Sequence, residues 1–337
     1  MKKKLYIAVI IILVSCKTNK PKQTNVITSD IDNFWEAYDL IIKENDSLKQ
    51  ISLIDSLYIK KGSIGLQKIM EVQEYTNTEY VKMINNYPKF LSSLKSNTLK
   101  SKRIANELND GIERLRALYP ELKPAKIFFT VGCLRTNGTT KENSVLIGSE
   151  LAMADTQTDI SEFKDRTKEW LKTFFATNPI KNIVLLNVHE YVHTQQNSIP
   201  DNLLYTVLYE GIAEFVSVRA MNIESSTEAI QFAKNNPDVK EKFEREMFYE
   251  KTYDWLWSNS PNEFGMRDLG YYIGYSIAES YYNQSSNKEK AIKELIELDY
   301  SNPKEVNILI DKSKFFSKTI EDLRKADKKK ETESIEY

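Results

Sequence analysis

The chain has 337 residues, of which 41% are hydrophobic and 28% charged, an ordinary composition for a globular protein with a sizeable core. Its 47 basic and 48 acidic residues give a formal charge of −1, and no arginine-rich stripe with interleaved aromatic residues occurs, so no nucleic-acid partner is expected. The low numbers of glycine (10) and proline (9) favour long helices over many turns.

The N-terminus has the pattern of a targeting signal. Three lysines are followed by an apolar run over 5–14, which is too short to span a bilayer comfortably. The run ends in Leu13-Val14-Ser15-Cys16, which resembles a bacterial lipobox, and that resemblance implies cleavage before Cys16 and a lipid on its sulfur. An uncleaved anchor and a plain secretory signal are the alternatives. We therefore predict a signal peptide over 1–15, a polar tether without folded structure over 16–29, and attachment to a membrane of the bacterial cell envelope, outside the cytoplasm.

The chain has two cysteines, so a lipid on Cys16 would leave Cys133 without a partner for an intrachain disulfide. Cys133 lies at the end of a predicted strand, where we interpret it as a small buried apolar side chain in preference to a nucleophile or a metal ligand. Stability is therefore expected to come from the core.

Residues 30–120 are predicted to form a helical layer packed on the rest of the protein. Apolar residues recur at three- and four-residue spacing from Ile31 to Ile42, with Ser29 or Asp30 as the candidate N-cap. Further helical segments are predicted at 47–59, 64–85 and 99–118, and Pro120 ends the last of them.

The periodicity then changes to that of a small sheet. The runs at 127–131 and 144–148 are rich in β-branched and aromatic residues, and turn-forming residues lie between them at 137–140, so we predict a strand, a loop and a strand. Glu150 follows the second run and could approach a cleft, although a helix cap or a surface charge is the commoner role for such a residue. A helix is predicted at 161–177.

The next predicted helix begins at Asn178-Pro179, with asparagine as N-cap and proline in the first turn, and ends at 198–201. It contains His189-Glu190-Tyr191-Val192-His193, an H-E-x-x-H motif that holds both histidines of the chain. Histidines four positions apart lie on one helical face, so a single zinc ion can bind a nitrogen from each. Glu190 is then expected to be the general base for a water on the metal. The alternative is a pair of buried, hydrogen-bonded histidines without a metal.

A catalytic zinc site needs a third protein ligand. No third histidine exists, so the ligand must be a carboxylate or, less favourably, Cys133 or a tyrosine. The helix predicted at 203–219 carries Glu210-Gly211-Ile212-Ala213-Glu214, which resembles the gluzincin arrangement. That resemblance implies that Glu210 is the ligand, that Glu214 orients a histidine, and that Gly211 lets this helix approach the H-E-x-x-H helix closely. The alternative exchanges the roles of Glu210 and Glu214.

Further helices are predicted at 227–235 and 238–257, and Trp255 and Trp257 are expected in the core or an interface. Another helix begins near Arg267. Gluzincins commonly place a tyrosine or histidine beside the zinc to stabilise the oxyanion, which implies Tyr271 here, with Tyr275 or Arg267 as alternatives. Amphipathic helices and a charged tail over 324–337 complete the chain.

These motifs together, with His189 to Gln196 and Gly270 to Tyr275, resemble a family of predicted zinc-dependent proteases related to gliding-motility lipoproteins, over about 125–285. We accordingly expect a mainly α (α+β) fold with a zincin-like catalytic core, a small β-sheet before the HExxH helix and helical layers on both sides. It would form a single domain over 30–323, with the catalytic core at 121–323.

The expected function is that of a membrane-anchored zinc metallopeptidase acting on peptide or protein substrates. In proteases that resemble thermolysin, an edge strand before the metal helix pairs with extended substrate backbone, and the strand pair at 127–148 lies in the corresponding place; a small sheet without a substrate role is the alternative. The alternative function is a non-enzymatic envelope or gliding-motility lipoprotein with a structural or vestigial zinc site.

Overall fold

The computed structural model describes residues 25–197, 202–225, 227–249, 254–257 and 262–335. Within these ranges the protein is mainly helical and contains one small mixed sheet. A π-helical turn continues the second helix, and a 3-10 turn precedes the ninth. The helices are α1 Ser29–Ile41, α2 Ser47–Ile54, α3 Ile64–Gln73, α4 Asn77–Asn86, α5 Pro88–Thr98, α6 Ser101–Leu118, α7 Ser149–Ala152, α8 Asp165–Ala176, α9 Ile183–His193, α10 Leu203–Met221, α11 Glu228–Lys234, α12 Asp238–Glu246, α13 Gly270–Gln284, α14 Lys288–Ile296, α15 Pro303–Ser313 and α16 Ile320–Ile335.

The sheet has four strands in the order β1-β2-β4-β3. The two predicted strands are confirmed as β2 and β4, which lie side by side in parallel with Ile127 opposite Val145. The edge strand β3 is antiparallel to β4 and includes two residues predicted as turn. A two- or three-residue strand is specified by its neighbour, since it is too short to carry a periodicity of its own. The strands are β1 Val26–Ile27, β2 Lys126–Thr130, β3 Thr139–Lys141 and β4 Ser144–Gly148.

The first strand corrects the prediction for the tether. Residues 16–29 were expected to lack folded structure, but β1 pairs in parallel with Ile127 and Phe128, and α1 begins at Ser29. Cys16 and the rest of the predicted tether up to residue 24, like the predicted signal peptide, lie outside the described residues. The folded part of the chain therefore begins about five residues earlier than its periodicity indicates.

The helical layer over 30–120 packs on the sheet through α1 and α3 and on the later helices through α6. The single helix predicted at 64–85 is two helices, because Glu74 takes a left-handed conformation and Thr76 starts α4 with a capping box to Glu79. Helix α5 was not predicted. Asp30 does not cap α1; its carboxylate accepts hydrogen bonds from the backbone N–H and hydroxyl of Ser63 at the start of α3.

Helix α9 carries the H-E-x-x-H motif and lies between α6, α10 and the sheet. It begins at Ile183, because Asn178 adopts a left-handed conformation without capping and Pro179 belongs to the 3-10 turn. It ends at His193, and the predicted end at 198–201 lies outside the described residues. The buried Tyr191 accepts a hydrogen bond from the N–H of Ala125 at 2.8 Å, which ties α9 to the segment entering β2.

Helix α10 is buried on nearly all sides and makes its most extensive contact with α13. A Cβ on Gly211 would lie 2.1 Å from the carbonyl carbon of Gly274, and a Cβ on Gly274 would lie 1.8 Å from the carbonyl oxygen of Val207. Gly211 was expected to face the H-E-x-x-H helix. It faces α13 instead, since Glu210 and Glu214 use the face of α10 that is turned toward α9.

Two helices in the C-terminal part end at residues other than those predicted. The helix predicted at 238–257 ends at Glu246, and the tail predicted from Arg324 continues α16 as far as Ile335. Trp255 is buried as expected, whereas Trp257 is 52% exposed. None of the described helices combines the length and the apolar composition needed to cross a membrane.

Glu150 is fully buried and is neither a surface charge nor part of an open cleft. One carboxylate oxygen accepts the N–H of Gly132 at 2.7 Å, and the other accepts the N–H of Leu134 at 3.0 Å. Glu150 therefore fixes the loop that leaves β2 and leads to β3. The neighbouring Cys133 is partly buried, and burial raises the pKa of its thiol, as expected for an unreactive cysteine.

Replacement of Gly211 by alanine is expected to lower the free energy of unfolding by about 3 kcal/mol, because the added methyl meets backbone of α13 that cannot turn away. Gly111→Ala in α6 is the matched control. Its Cβ would meet side-chain atoms, the nearest being Val188 Cγ2 at 3.1 Å, so a change within about 1 kcal/mol is expected. Urea unfolding of both variants tests the difference, and equal effects would contradict it.

Glu150 should also make stability depend on pH. Burial raises its pKa to about 7 in the folded protein, against roughly 4.3 in an unfolded chain, so the folded state binds the proton more tightly. The contribution of Glu150 to stability is therefore fully present below about pH 4 and is lost as the pH rises toward 7.

Glu150→Gln should remove this dependence. We expect the difference in unfolding free energy between wild type and variant to shift by on the order of 2 kcal/mol between pH 5 and pH 7.5. Glu142→Gln is the control, because the hydrogen bond from Lys68 lowers the pKa of Glu142 and keeps it ionised throughout this range. If the difference in unfolding free energy between wild type and Glu150→Gln does not change with pH, Glu150 does not have a raised pKa in the folded protein.

Candidate metal centre

Three side chains from α9 and α10 meet at one point. His189 and His193 lie one turn apart on α9, and their Nε2 atoms are 3.0 Å from each other. Glu210 on α10 places its Oε2 atom 3.5 Å from Nε2 of His189 and 3.4 Å from Nε2 of His193. The structure thus brings together the two histidines and the glutamate that the sequence indicated.

These three residues could hold a metal ion. Ligands at about 2.0–2.1 Å from a tetrahedral ion are about 3.3 Å apart, close to the separations of these nitrogen and oxygen atoms. The three side chains are between 7% and 10% exposed, so a bound ion would be largely shielded from solvent. The described part of the chain contains no other such group of histidine, cysteine and acidic residues.

Each histidine turns its second ring nitrogen toward a different partner. Nδ1 of His189 lies 3.2 Å from Oε2 of Glu214, whose other oxygen accepts hydrogen bonds from the hydroxyls of Ser225 and Thr227. Glu214 therefore contacts the outer side of His189, whereas Glu210 faces both Nε2 atoms. This geometry supports Glu210 as the ligand and Glu214 as the residue that orients the ring, rather than the reverse.

Gln196 orients the other histidine. Its Oε1 lies 2.7 Å from Nδ1 of His193, and its Nε2 donates to the carbonyl oxygen of Tyr209 at 3.0 Å. The sequence prediction gave Gln196 no role, although its position three residues after His193 places it within reach just beyond the end of α9. The ring of Tyr209 also stacks on His193 with centroids 4.5 Å apart, a contact that the sequence did not indicate.

The charges in the group stabilise one another. Burial would lower the pKa of His189, but hydrogen bonds with Glu210 and Glu214 raise it to about 10. Burial would raise the pKa of Glu210, but the charge of His193 and hydrogen bonds with both rings hold it well below its usual range. The pKa of Glu214 is lowered against the effect of burial in the same way, mainly through His189. Both carboxylates are thus held ionised, which is the form in which a carboxylate can bind a metal ion.

Glu190 lies beside the group but does not belong to it. It is partly buried, and a Cβ on Gly138 would lie 3.3 Å from its Oε1 atom, so its carboxylate faces the start of the edge strand β3. Burial raises the pKa of Glu190, and the charges of His193 and His189 oppose that rise. A raised pKa makes this carboxylate a better proton acceptor than an exposed glutamate would be.

Of the candidates for stabilising an oxyanion, Tyr271 lies beside the candidate metal centre. Its ring centroid is 6.2 Å from that of His189, and its side chain lies close to Glu210. Burial and the charges of Glu210 and Asp268 raise the pKa of Tyr271 well above its usual value. Tyr275 instead donates to Glu279 at 3.3 Å, and Arg267 pairs with Asp268 at 3.8 Å.

No protein-family model matches the chain, and no curated protein or solved structure is significantly similar to it. What the chain does must therefore be inferred from its own residues and their geometry.

Loss of either outer partner is expected to weaken metal binding. Glu214→Ala and Gln196→Ala should each lower the affinity for Zn²⁺ by about 10–100-fold, because the freed imidazole no longer presents Nε2 in a fixed direction. Competition of the purified variants with a chromophoric chelator measures this affinity.

Gln195→Ala is the matched control for Gln196→Ala. Gln195 accepts a hydrogen bond from the N–H of Lys123, and neither histidine is among its hydrogen-bond partners in the described residues, so its loss should leave the Zn²⁺ affinity within about threefold of wild type. An equal loss of affinity in both glutamine variants would mean that Gln196 acts through general stability and not through His193.

Proposed function

We propose that the chain is a zinc-dependent peptidase with a gluzincin-like site, in which His189, His193 and Glu210 hold the ion. Two imidazoles and one carboxylate are a donor set that suits zinc, and three protein ligands leave a position for water or substrate. We further propose that α9, α10 and the preceding strands form a zincin-like core.

The observation that carries the proposal is the place of Glu190. A metal that only joins two helices has no need for a further carboxylate next to its ligands. Glu190 is partly buried beside them, and within the described residues its carboxylate makes no hydrogen bond that would commit it to a structural role.

Glu190 and Tyr271 have different roles in the proposed peptide hydrolysis. A zinc ion, when bound, supplies a Lewis acid that polarises the scissile carbonyl and makes water more acidic. Glu190 accepts a proton from the attacking water and can pass it to the departing amine. Tyr271, kept protonated by its raised pKa, donates a hydrogen bond to the oxyanion that develops on the carbonyl.

The edge strand β3 offers a place for the substrate backbone. It pairs with β4 on one side and lies at the end of the sheet order, and Gly138 at its start borders Glu190. An extended peptide could add to this edge as a further strand, so that its backbone runs past the general base.

We also propose that the protein is anchored to a membrane of the cell envelope through a lipid on Cys16, as the lipobox-like segment indicates. The substrate would then be a peptide or protein outside the cytoplasm.

The low exposure of the three ligand side chains favours one alternative, a lipoprotein in which a closed metal site only stabilises the fold. This alternative would be supported if a spectrum of the metal-loaded protein shows a fourth protein ligand and no coordination position that water can occupy.

Glu190→Gln separates these two functions. If Glu190 is the general base, the variant should bind one equivalent of Zn²⁺ and melt like wild type, but hydrolyse peptides about 10²–10⁴-fold more slowly. Digestion of a peptide library, followed by mass spectrometry with and without a chelator, measures the loss.

Glu113→Gln on α6 is the control for a neutralised carboxylate, since the side chain of Glu113 is 57% exposed and pairs with Arg116. It should retain wild-type activity. Full activity of the Glu190→Gln protein with zinc bound would refute the proposed mechanism.

A further inference from the structure

Trp257 is a large apolar residue of which about half is exposed to solvent, so packing stabilises it less than its buried neighbours. In the described segment 254–257, Trp255 is 2% exposed and Leu256 is fully buried, but Trp257 is 52% exposed. Its backbone has a φ of +58°, a left-handed conformation that is unfavourable for a residue other than glycine. Glycine or asparagine would satisfy this position better if stability alone mattered.

The strained segment is held firmly against the start of α13. The carbonyl oxygen of Trp255 accepts the N–H of Gly270 at 2.9 Å, and the N–H of Trp257 donates to Oδ1 of Asp268 at 2.7 Å. Asp268 itself has a φ of +60°. Two left-handed residues joined by a hydrogen bond therefore fix the backbone that carries the exposed indole.

This segment borders the candidate metal centre. The Trp257 side chain lies beside Tyr271, which in turn lies close to Glu210 and has its ring centroid 6.2 Å from that of His189. Only the side chain of Tyr271 thus lies between the indole and the pair His189 and Glu210. The indole presents a flat apolar surface to solvent beside Tyr271.

We propose that Trp257 is a specificity-determining residue that binds an aromatic or large aliphatic side chain of the substrate next to the scissile bond. This inference rests on the proposed peptidase function. An exposed indole offers a rigid apolar face on which such side chains stack, at a small cost in conformational entropy because it has only two side-chain torsions and its backbone is already held in place.

Steady-state hydrolysis of end-blocked alanine pentapeptides with a central phenylalanine, arginine or glycine tests the proposal. Trp257→Ala should lower kcat/KM for the phenylalanine peptide about 10–100-fold more than for the glycine peptide, mainly through KM. Trp257→Phe should restore most of that difference, because it keeps an aromatic face. Trp170→Ala on α8, where Trp170 stacks on Phe174, is the matched control and should not change the preference.

Two outcomes would overturn the proposal. An unchanged preference in the Trp257→Ala protein, or a wild-type preference for arginine, would mean that the indole does not select apolar side chains. A fall in kcat that is equal for all three peptides would place Trp257 in the support of Tyr271 and not in substrate selection.

A binding measurement distinguishes failure of this inference from failure of the proposed function. If wild type cleaves no peptide, the peptidase function is wrong, and tryptophan fluorescence of the Glu190→Gln protein then decides the role of Trp257. Quenching by the phenylalanine peptide that disappears with Trp257→Phe, but persists with Trp170→Phe, would support binding at the indole. Absence of quenching, or quenching that survives Trp257→Phe, would reject it.

Discussion

The candidate site depends on one buried interaction, the carboxylate of Glu210 placed against the Nε2 atoms of His189 and His193. A buried charge is costly unless strong partners surround it, so α9 and α10 must hold these groups in register. Helix α10 can do so because its opposite face rests on α13 at the contact of Gly211 with Gly274. The positions of His189, His193 and Glu210 relative to one another thus depend on a backbone contact between α10 and α13, on the side of α10 that faces away from α9.

Different parts of the fold border the ligand group. The loop from β2 to β3, fixed by Glu150, brings Gly138 to Glu190, whereas the start of α13 brings Tyr271 to Glu210. The sheet thus borders the proposed proton acceptor, and the C-terminal helices border the proposed oxyanion donor. Neither part supplies His189, His193 or Glu210, so the proposed substrate contacts on both parts could vary without changing the candidate metal site.

The sequence predicted what short-range patterns encode. The four-residue spacing of the histidines and the gluzincin resemblance around Glu210 predicted three side chains that the structure brings together, and apolar periodicity located most helices and two strands. It did not predict β1 and β3, which exist through pairing with longer strands, or the break before α4, where Thr76 caps a new helix. Long-range contacts also decide that Gly211 faces α13 and that Trp257 points outward, and no local pattern reports them.

The two histidines differ in the charge of the side chain that contacts Nδ1. This side chain is the carboxylate of Glu214 for His189 and the neutral amide of Gln196 for His193. With a divalent cation bound, the carboxylates of Glu190, Glu210 and Glu214 would bring the local sum to one negative charge. A glutamate in place of Gln196 would make it two, and the excess would weaken the pull of the cation on the electrons of a substrate carbonyl. The amide orients the ring of His193 and, with a cation bound at the candidate site, would avoid that loss of electrophilicity.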